Sequence, residues 1–275
     1  MYVVSCRKDF ESNIIVSGEN QYRNYFNPGS HKEHRAVVLD TILKAAANKH
    51  VCILVHGFNN PLENVMKSYW ELVKGLDRPG MRPPEGYGLI VGFTWPGSRF
   101  GLGYFGARPK AERSGARLRE LINGLRGVAL SVDVQTHSLG ARVALHALAD
   151  PKNKTFVDNL LLAAAAVDDN ILEPDHKYFS AMASCNRCLA YFSKKDPVLG
   201  GAFWVGDVLD GIHAALGLRG PRRKDITMDK TPNLYVIDCS AVVHSHGGYR
   251  DQPAYYAHWT SVLAGGPLSR YDELS

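Results

Sequence analysis

A serine at the point where a strand turns into a helix is the residue in this chain best placed to do chemistry. Residues 129–135, Ala-Leu-Ser-Val-Asp-Val-Gln, predict a strand. Leu139, Val143, Leu145 and Leu148, with alanines between them, predict a helix with a broad apolar face. Thr136-His137-Ser138-Leu139-Gly140 joins the two within about five residues, the arrangement of a nucleophile elbow. Such a turn is strained, and the positions two before and two after the serine must be small for helix and strand to pack. Gly140 meets this demand. Thr136 departs from it, because a β-branched residue stands where the first glycine is usual. The plainer reading is an ordinary strand-to-helix turn in which Ser138 caps the helix.

A serine hydroxyl becomes a useful nucleophile when an imidazole takes its proton. The imidazole in turn needs a carboxylate to fix its tautomer. Candidates for both follow predicted strands: His56 after 51–55, Asp168 and Asp169 after 159–167, Asp196 after 187–193, and His244 and His246 after 234–238. Serine, acid and histidine in that chain order match the hydrolase order. A tetrahedral intermediate also needs preorganised donors for its oxyanion. The backbone N–H of Leu139 is one candidate, and that of Phe58, in the loop after His56-Gly57, is the other. Each residue has a structural alternative. Asp196 precedes Pro197 and can make a turn, and His246 can be exposed in a glycine-rich loop.

The elements that must position these groups alternate along the chain. Tyr2–Cys6 is a candidate first strand with Asn13–Val16 as its hairpin partner, and Glu33–Asn48 a helix with Val37, Val38, Ile42 and Leu43 on one face. Val51–Val55 is an apolar run, expected of a strand buried on both faces. Helical spacing follows from Leu62 to Gly75, a strand over 89–95, a helix over 110–125, strands over 159–167 and 187–193 with a helix at 173–184 between them, and an apolar helix over 203–218. Leu234–Asp238 is the last expected strand and Pro253–Ala264 the last helix. This alternation implies a mostly parallel sheet with helices on both faces. Without a linker-like stretch or repeat, residues 1–275 are expected to form one domain.

Composition excludes other classes. The chain has 275 residues, 45% apolar and 21% charged, enough for one large α/β core. The net charge of +5 is small, and the basic stretch Arg219–Lys224 lacks interleaved aromatics, so no nucleic-acid partner is expected. No apolar run is long enough to span a membrane, and no signal peptide is evident. The five cysteines, Cys6, Cys52, Cys185, Cys188 and Cys239, form an odd, sparse set that suits the cytoplasm. Cys185 and Cys188 lack two further ligands at zinc-motif spacing, so a structural role and no metal are expected. Gly101–Gly106 spells G-x-G-x-x-G, but Trp95–Phe100 separate it from the preceding strand and Asp133 falls inside the next one. A glycine-containing loop is expected there, not a dinucleotide site.

Five stretches carry a resemblance: ILVHGFNN at 53–60, GFTWPGS at 92–98, THSLGARV at 136–143, YFSKKDPVLG at 191–200 and HGGYRDQPA at 246–254. In order and in content they resemble a bacterial α/β-hydrolase family of largely unknown function. The resemblance implies an α/β-hydrolase fold, with Ser138 as nucleophile, Asp196 rather than Asp168 or Asp169 as acid, and His246 as base. Gly247 and Gly248 also favour His246 over His244, since they allow a tight turn; His258 falls inside the last expected helix. The expected function is cofactor-free hydrolysis of a small-molecule ester or lipid. Thioesterase, amidase and acyltransferase chemistry with the same triad, and a non-catalytic binding protein of the same fold, stay open. The segment 201–218 is read either as an acyl-pocket cover or as a core helix.

Overall fold

The computed structural model describes residues 1–27, 30–78, 86–97, 103–150, 155–201 and 213–275. In chain order the elements are β1 (Tyr2–Ser5), β2 (Gln21–Tyr25), β3 (His34–Ala36), α1 (Leu39–Ala46), β4 (His50–Val55), α2 (Leu62–Leu76), β5 (Leu89–Thr94), α3 (Gly103–Arg126), β6 (Ser131–His137), α4 (Gly140–Leu148), β7 (Val157–Ala163), β8 (Cys185–Phe192), α5 (Leu216–Arg219), α6 (Lys224–Lys230), β9 (Leu234–Asp238), α7 (Pro253–Leu263) and β10 (Tyr271–Glu273). The strands form one sheet in the order β10-β9-β8-β7-β6-β4-β5-β1-β2-β3. Every neighbouring pair from β10 across to β1 is parallel, and β2 and β3 are added antiparallel at one edge. This is the expected α/β-hydrolase architecture.

The central strands are buried because both faces are covered. Val51, Cys52, Ile53 and Leu54 of β4, Val132 and Val134 of β6, and Leu160–Leu162 of β7 have no exposed surface. On one face α3 packs on α4 and α1; on the other α2 packs on α7. Among the described residues no helix is long and apolar enough to cross a membrane.

Several expected elements take other forms. The Glu33–Asn48 helix begins only at Leu39, because residues 34–36 pair with β2 instead, and Val38 is exposed. Asn13–Val16 contributes one bridge, Ile15 to Arg7, and β1 pairs with Gln21–Tyr25. The helix expected over 173–184 survives only as a 3₁₀ turn at Phe179–Ser184; Pro174 disfavours helix at the residue before it. A further strand, β10, follows Leu234–Asp238. Gly103 and Gly106 lie in α3 rather than in a loop, and most of the apolar segment 201–218 lies outside the described residues. Asp133, buried within β6, accepts bonds from Tyr87 Oη at 2.6 Å and Asn159 Nδ2 at 2.9 Å. Burial pushes its carboxyl up to about 6 despite these donors.

One side chain ties the helix face to the strand ends. Tyr69 of α2 donates its hydroxyl to Phe93 O at 2.5 Å and accepts from His56 N–H at 3.1 Å. It is 2% exposed, so removing the oxygen leaves two buried backbone groups without this partner. Tyr69→Phe is expected to lower the free energy of urea unfolding by about 1–3 kcal/mol; an unchanged midpoint would show that the hydroxyl is dispensable.

Candidate active site

Ser138 sits directly beyond β6 with φ at +56°, the left-handed region that a non-glycine residue rarely adopts. Its N–H donates to Ala163 O at 3.0 Å, and its carbonyl accepts from Ala141 N–H at 3.1 Å. The strained residue is thus pinned on both sides, to β7 and to the first turn of α4. Close packing explains the glycines. A Cβ on Gly140 would lie 2.6 Å from His56 O and 2.7 Å from Val55 O, and a Cβ on Gly57 would lie 2.7 Å from Ser138 Cβ. Thr136 needs no such space. It is a regular strand residue opposite Val55, and its hydroxyl donates to Leu161 O at 3.1 Å.

Gly57 packs against Ser138; Phe58 is the next residue of the same loop, and Leu139, the residue after the serine, is the N-cap of α4. The His56–Asn60 loop is held by His56, whose ring Nε2 accepts from Trp95 N–H at 3.1 Å, leaving Nδ1 to donate to Gly57 O at 2.8 Å. Trp95 stacks on this ring, centroids 5.6 Å apart, and donates its indole N–H to His56 O at 2.8 Å. Asn59, at φ +57°, turns the loop into α2.

Asp196 and His246 meet. His246 Nδ1 lies 2.7 Å from Asp196 Oδ2. The other carboxylate oxygen accepts from the N–H groups of Val198 and Leu199, each at 3.0 Å. Asp196 therefore also makes the turn that Asp-Pro suggested, capping helical residues 197–201. Burial alone would raise its pKa, but the His246 bond and charge and the two backbone donors outweigh it and hold the carboxyl below its ordinary value.

The rival residues are engaged elsewhere. Asp168 faces Arg108 at 3.5 Å and Arg142 at 3.7 Å. Asp169 faces His213 at 3.4 Å. His244 is exposed, with Nε2 3.1 Å from Ala241 O and 3.2 Å from Lys195 Nζ. His258, in α7, has Nδ1 2.9 Å from Tyr191 Oη. The turn expected after His246 is present, closed by Gly248 N–H to Ser245 O at 3.0 Å; Gly247 has φ of −94°, open to any residue, and a Cβ there would lie 2.6 Å from Arg250 Nη2.

Sequence reasoning missed His137. Its Nε2 donates to His246 O at 2.8 Å and its ring lies 4.7 Å from that of His246. The residue before Ser138 thereby anchors the loop that carries His246. Its only sequence signal was adjacency to the serine.

The model of a family described as alpha/beta hydrolase of unknown function (DUF900) matches residues 31–248. No curated protein matches the chain in sequence. Similar solved structures include an esterase of Pyrococcus furiosus, Pf2001, 12% identical with a TM-score of 0.43 over 80% of this chain and 83% of that one. Another is the siderophore hydrolase EstB of Aspergillus nidulans, 12% identical with a TM-score of 0.44 over 92% and 93%.

A buried histidine, His56, and a partly buried one, His137, make stability depend on pH. Burial and the neighbouring His246 lower the His137 pKa from 6.5 to about 3. Burial and the Arg7 charge push that of His56 well below its ordinary value. The unfolded chain binds protons at these positions before the folded chain does, so their contribution is full above about pH 6.5 and lost as pH falls. Between about pH 6.5 and pH 5, His137 should cost roughly 2 kcal/mol, at 1.36 kcal/mol per unit, and His56 acts in the same direction. In His137→Gln, the fall in urea unfolding free energy over that range should be smaller than in wild type by about this amount. Equal falls would mean that His137 titrates normally.

Proposed function

The chain belongs to this α/β-hydrolase family of unknown function, and from that premise we propose that it is a serine hydrolase of carboxylic esters, acting on a small-molecule or lipid substrate. Ser138 Oγ attacks the carbonyl carbon while His246 Nε2 takes its proton. Asp196, bonded to Nδ1, holds the ring in the tautomer that leaves Nε2 free to accept, and stabilises the imidazolium. The N–H groups of Phe58 and Leu139 receive the oxyanion of the tetrahedral intermediate. Collapse expels the alcohol, which takes the proton from His246, and leaves an acyl-Ser138 ester. Water, deprotonated by His246, then attacks this ester and releases the acid. The chemistry calls for no cofactor. We place it in one domain spanning 1–275 and in the cytoplasm, a compartment that suits five free, buried cysteines.

The observation that supports this reading most is the 2.7 Å Asp196–His246 bond, carried on a loop whose backbone is tied to His137 beside a strained serine. A fluorophosphonate probe should label the wild-type protein and not Ser138→Ala. On nitrophenyl esters of graded chain length, Ser138→Ala should lose on the order of 10³ or more in turnover. Asp196→Asn should lose about 10²–10⁴. His246→Ala should abolish turnover, while His244→Ala should retain most of it. Wild-type turnover in Ser138→Ala, or a larger loss from Asp168→Asn or Asp169→Asn than from Asp196→Asn, would overturn the assignment.

A further inference from the structure

Arg250 lies four residues beyond His246 and is not part of the acid–base pair. Its Nη1 donates to Ser68 Oγ and, at 2.8 Å, to Glu71 Oε2, both on α2. Its Nε donates to Gly247 O at 3.3 Å, one residue from His246. The backbone carbonyl of Arg250 is itself fixed, accepting from Tyr256 Oη at 2.9 Å. One planar guanidinium thus joins the loop bearing His246 to the helix that emerges from the His56–Asn60 loop. A compact lysine ammonium cannot serve both sides of such a fork. Gly247 is shaped to the same contact, since any β-carbon there would meet the guanidinium.

The two loops are not packed solid against each other. A cavity of about 70 Å³ lies between them, lined by His56, Gly57, Asn60, Ser68, His137 and Arg250 among others. Tyr249 and Arg250 line it from the His246 side, so the packing of this segment against α2 is incomplete. The Arg250–Glu71 pair is about a third exposed, with side-chain exposures of 29% and 36%. A pair so accessible adds little to global stability, but it can still fix where one loop sits relative to another.

We infer that Arg250 is a positioning residue for the reaction at Ser138: by bridging α2 and Gly247 O it sets the placement of the His246 ring relative to the serine and the oxyanion-binding loop. The inference rests on the serine hydrolase reading above for its kinetic consequence. Misplacing a reacting group by about an ångström can cost on the order of 10²-fold in rate without weakening substrate binding. The charge pair with Glu71 and the bond to Ser68 would each carry part of this effect.

The test uses the full chain with nitrophenyl butyrate. Arg250→Met should lower kcat roughly 10–100-fold, with KM within about twofold and an unchanged urea midpoint. Arg250→Lys should fall between the two. In Arg250→Ala, added propylguanidinium should restore activity at least about threefold where propylammonium does not, because the fork geometry is what is missing. An unchanged kcat in Arg250→Met would overturn the inference. So would a loss that follows a lowered urea midpoint and shows no rescue, since Arg250 would then only stabilise the fold. A second readout needs no activity: the downfield proton NMR resonance of His246 Nδ1–H bonded to Asp196, identified by its absence in His246→Gln. Its broadening or loss in Arg250→Met supports the positioning role, and its retention unchanged overturns it. If the wild type neither hydrolyses esters nor takes a fluorophosphonate label, the hydrolase reading fails, and this resonance still decides whether Arg250 positions His246.

Discussion

A serine held in left-handed backbone geometry, with another strand's exit loop pressed against it, is the constraint on which the site depends. Such a conformation costs on the order of 1–3 kcal/mol and persists only where its surroundings enforce it. Here β7 accepts the Ser138 N–H, α4 begins on its carbonyl, and the end of β4 closes on both Ser138 and Gly140. The close approach places the His56–Asn60 loop beside the serine hydroxyl without any residue having to reach for it. It also explains why glycine is required at 57 and 140 but not at 136. Position 136 is still in regular strand geometry, where Thr136 spends its hydroxyl on Leu161 O. The turn that exposes the serine begins only after His137.

The polar groups around this turn are buried and arranged so that few of them are free to move. Tyr69 spans Phe93 O and His56 N–H, Trp95 caps both the ring and the carbonyl of His56, and His137 holds His246 O. Each bond satisfies a backbone group that burial would otherwise make costly. The same bonds fix the loops on either side of Ser138. Stability of the strand ends and placement of the site are therefore one set of interactions, which is why the site grows out of the fold rather than being added to it.

The sequence disclosed what depends on local pattern. Val51–Val55 was readable because a strand covered on both faces must be apolar throughout, and α2 because its apolar residues recur at helical spacing. The elbow was readable because strand, serine and helix are contiguous. β3 and β10 were not, since strands of three residues at the sheet edges carry too little pattern and are defined by their partners. The helix expected from Glu33 starts late for the same reason: pairing with β2 overrides local spacing over 34–36. In the site, Ser138, Asp196 and His246 could be named as candidates from strand ends and chain order. His137 and Arg250 could not be assigned roles, because their partners lie 109 and 179–182 residues away in the chain and include backbone carbonyls that leave no compositional trace. Gly247 shows the limit well. It lies in the expected turn, but that turn does not require glycine there, and what crowds the position is the guanidinium of Arg250.

Three imidazoles cluster about the elbow, and their surroundings distinguish them. His56 is enclosed, flanked by the Arg7 guanidinium at 3.4 Å, and committed at both ring nitrogens. His137 is partly buried beside His246 and commits Nε2 to a carbonyl. Desolvation and neighbouring positive charge lower the affinity of both for a proton. His246 alone of the three is bonded to a carboxylate, one whose pKa the His246 bond and charge and two backbone donors hold below its ordinary value. In the proposed chemistry a proton leaving Ser138 has three rings within the neighbourhood but only one whose positive charge is compensated. The choice of base thus follows from where burial and negative charge fall, and the neutrality of His56 and His137 is as much a part of that choice as the carboxylate of Asp196.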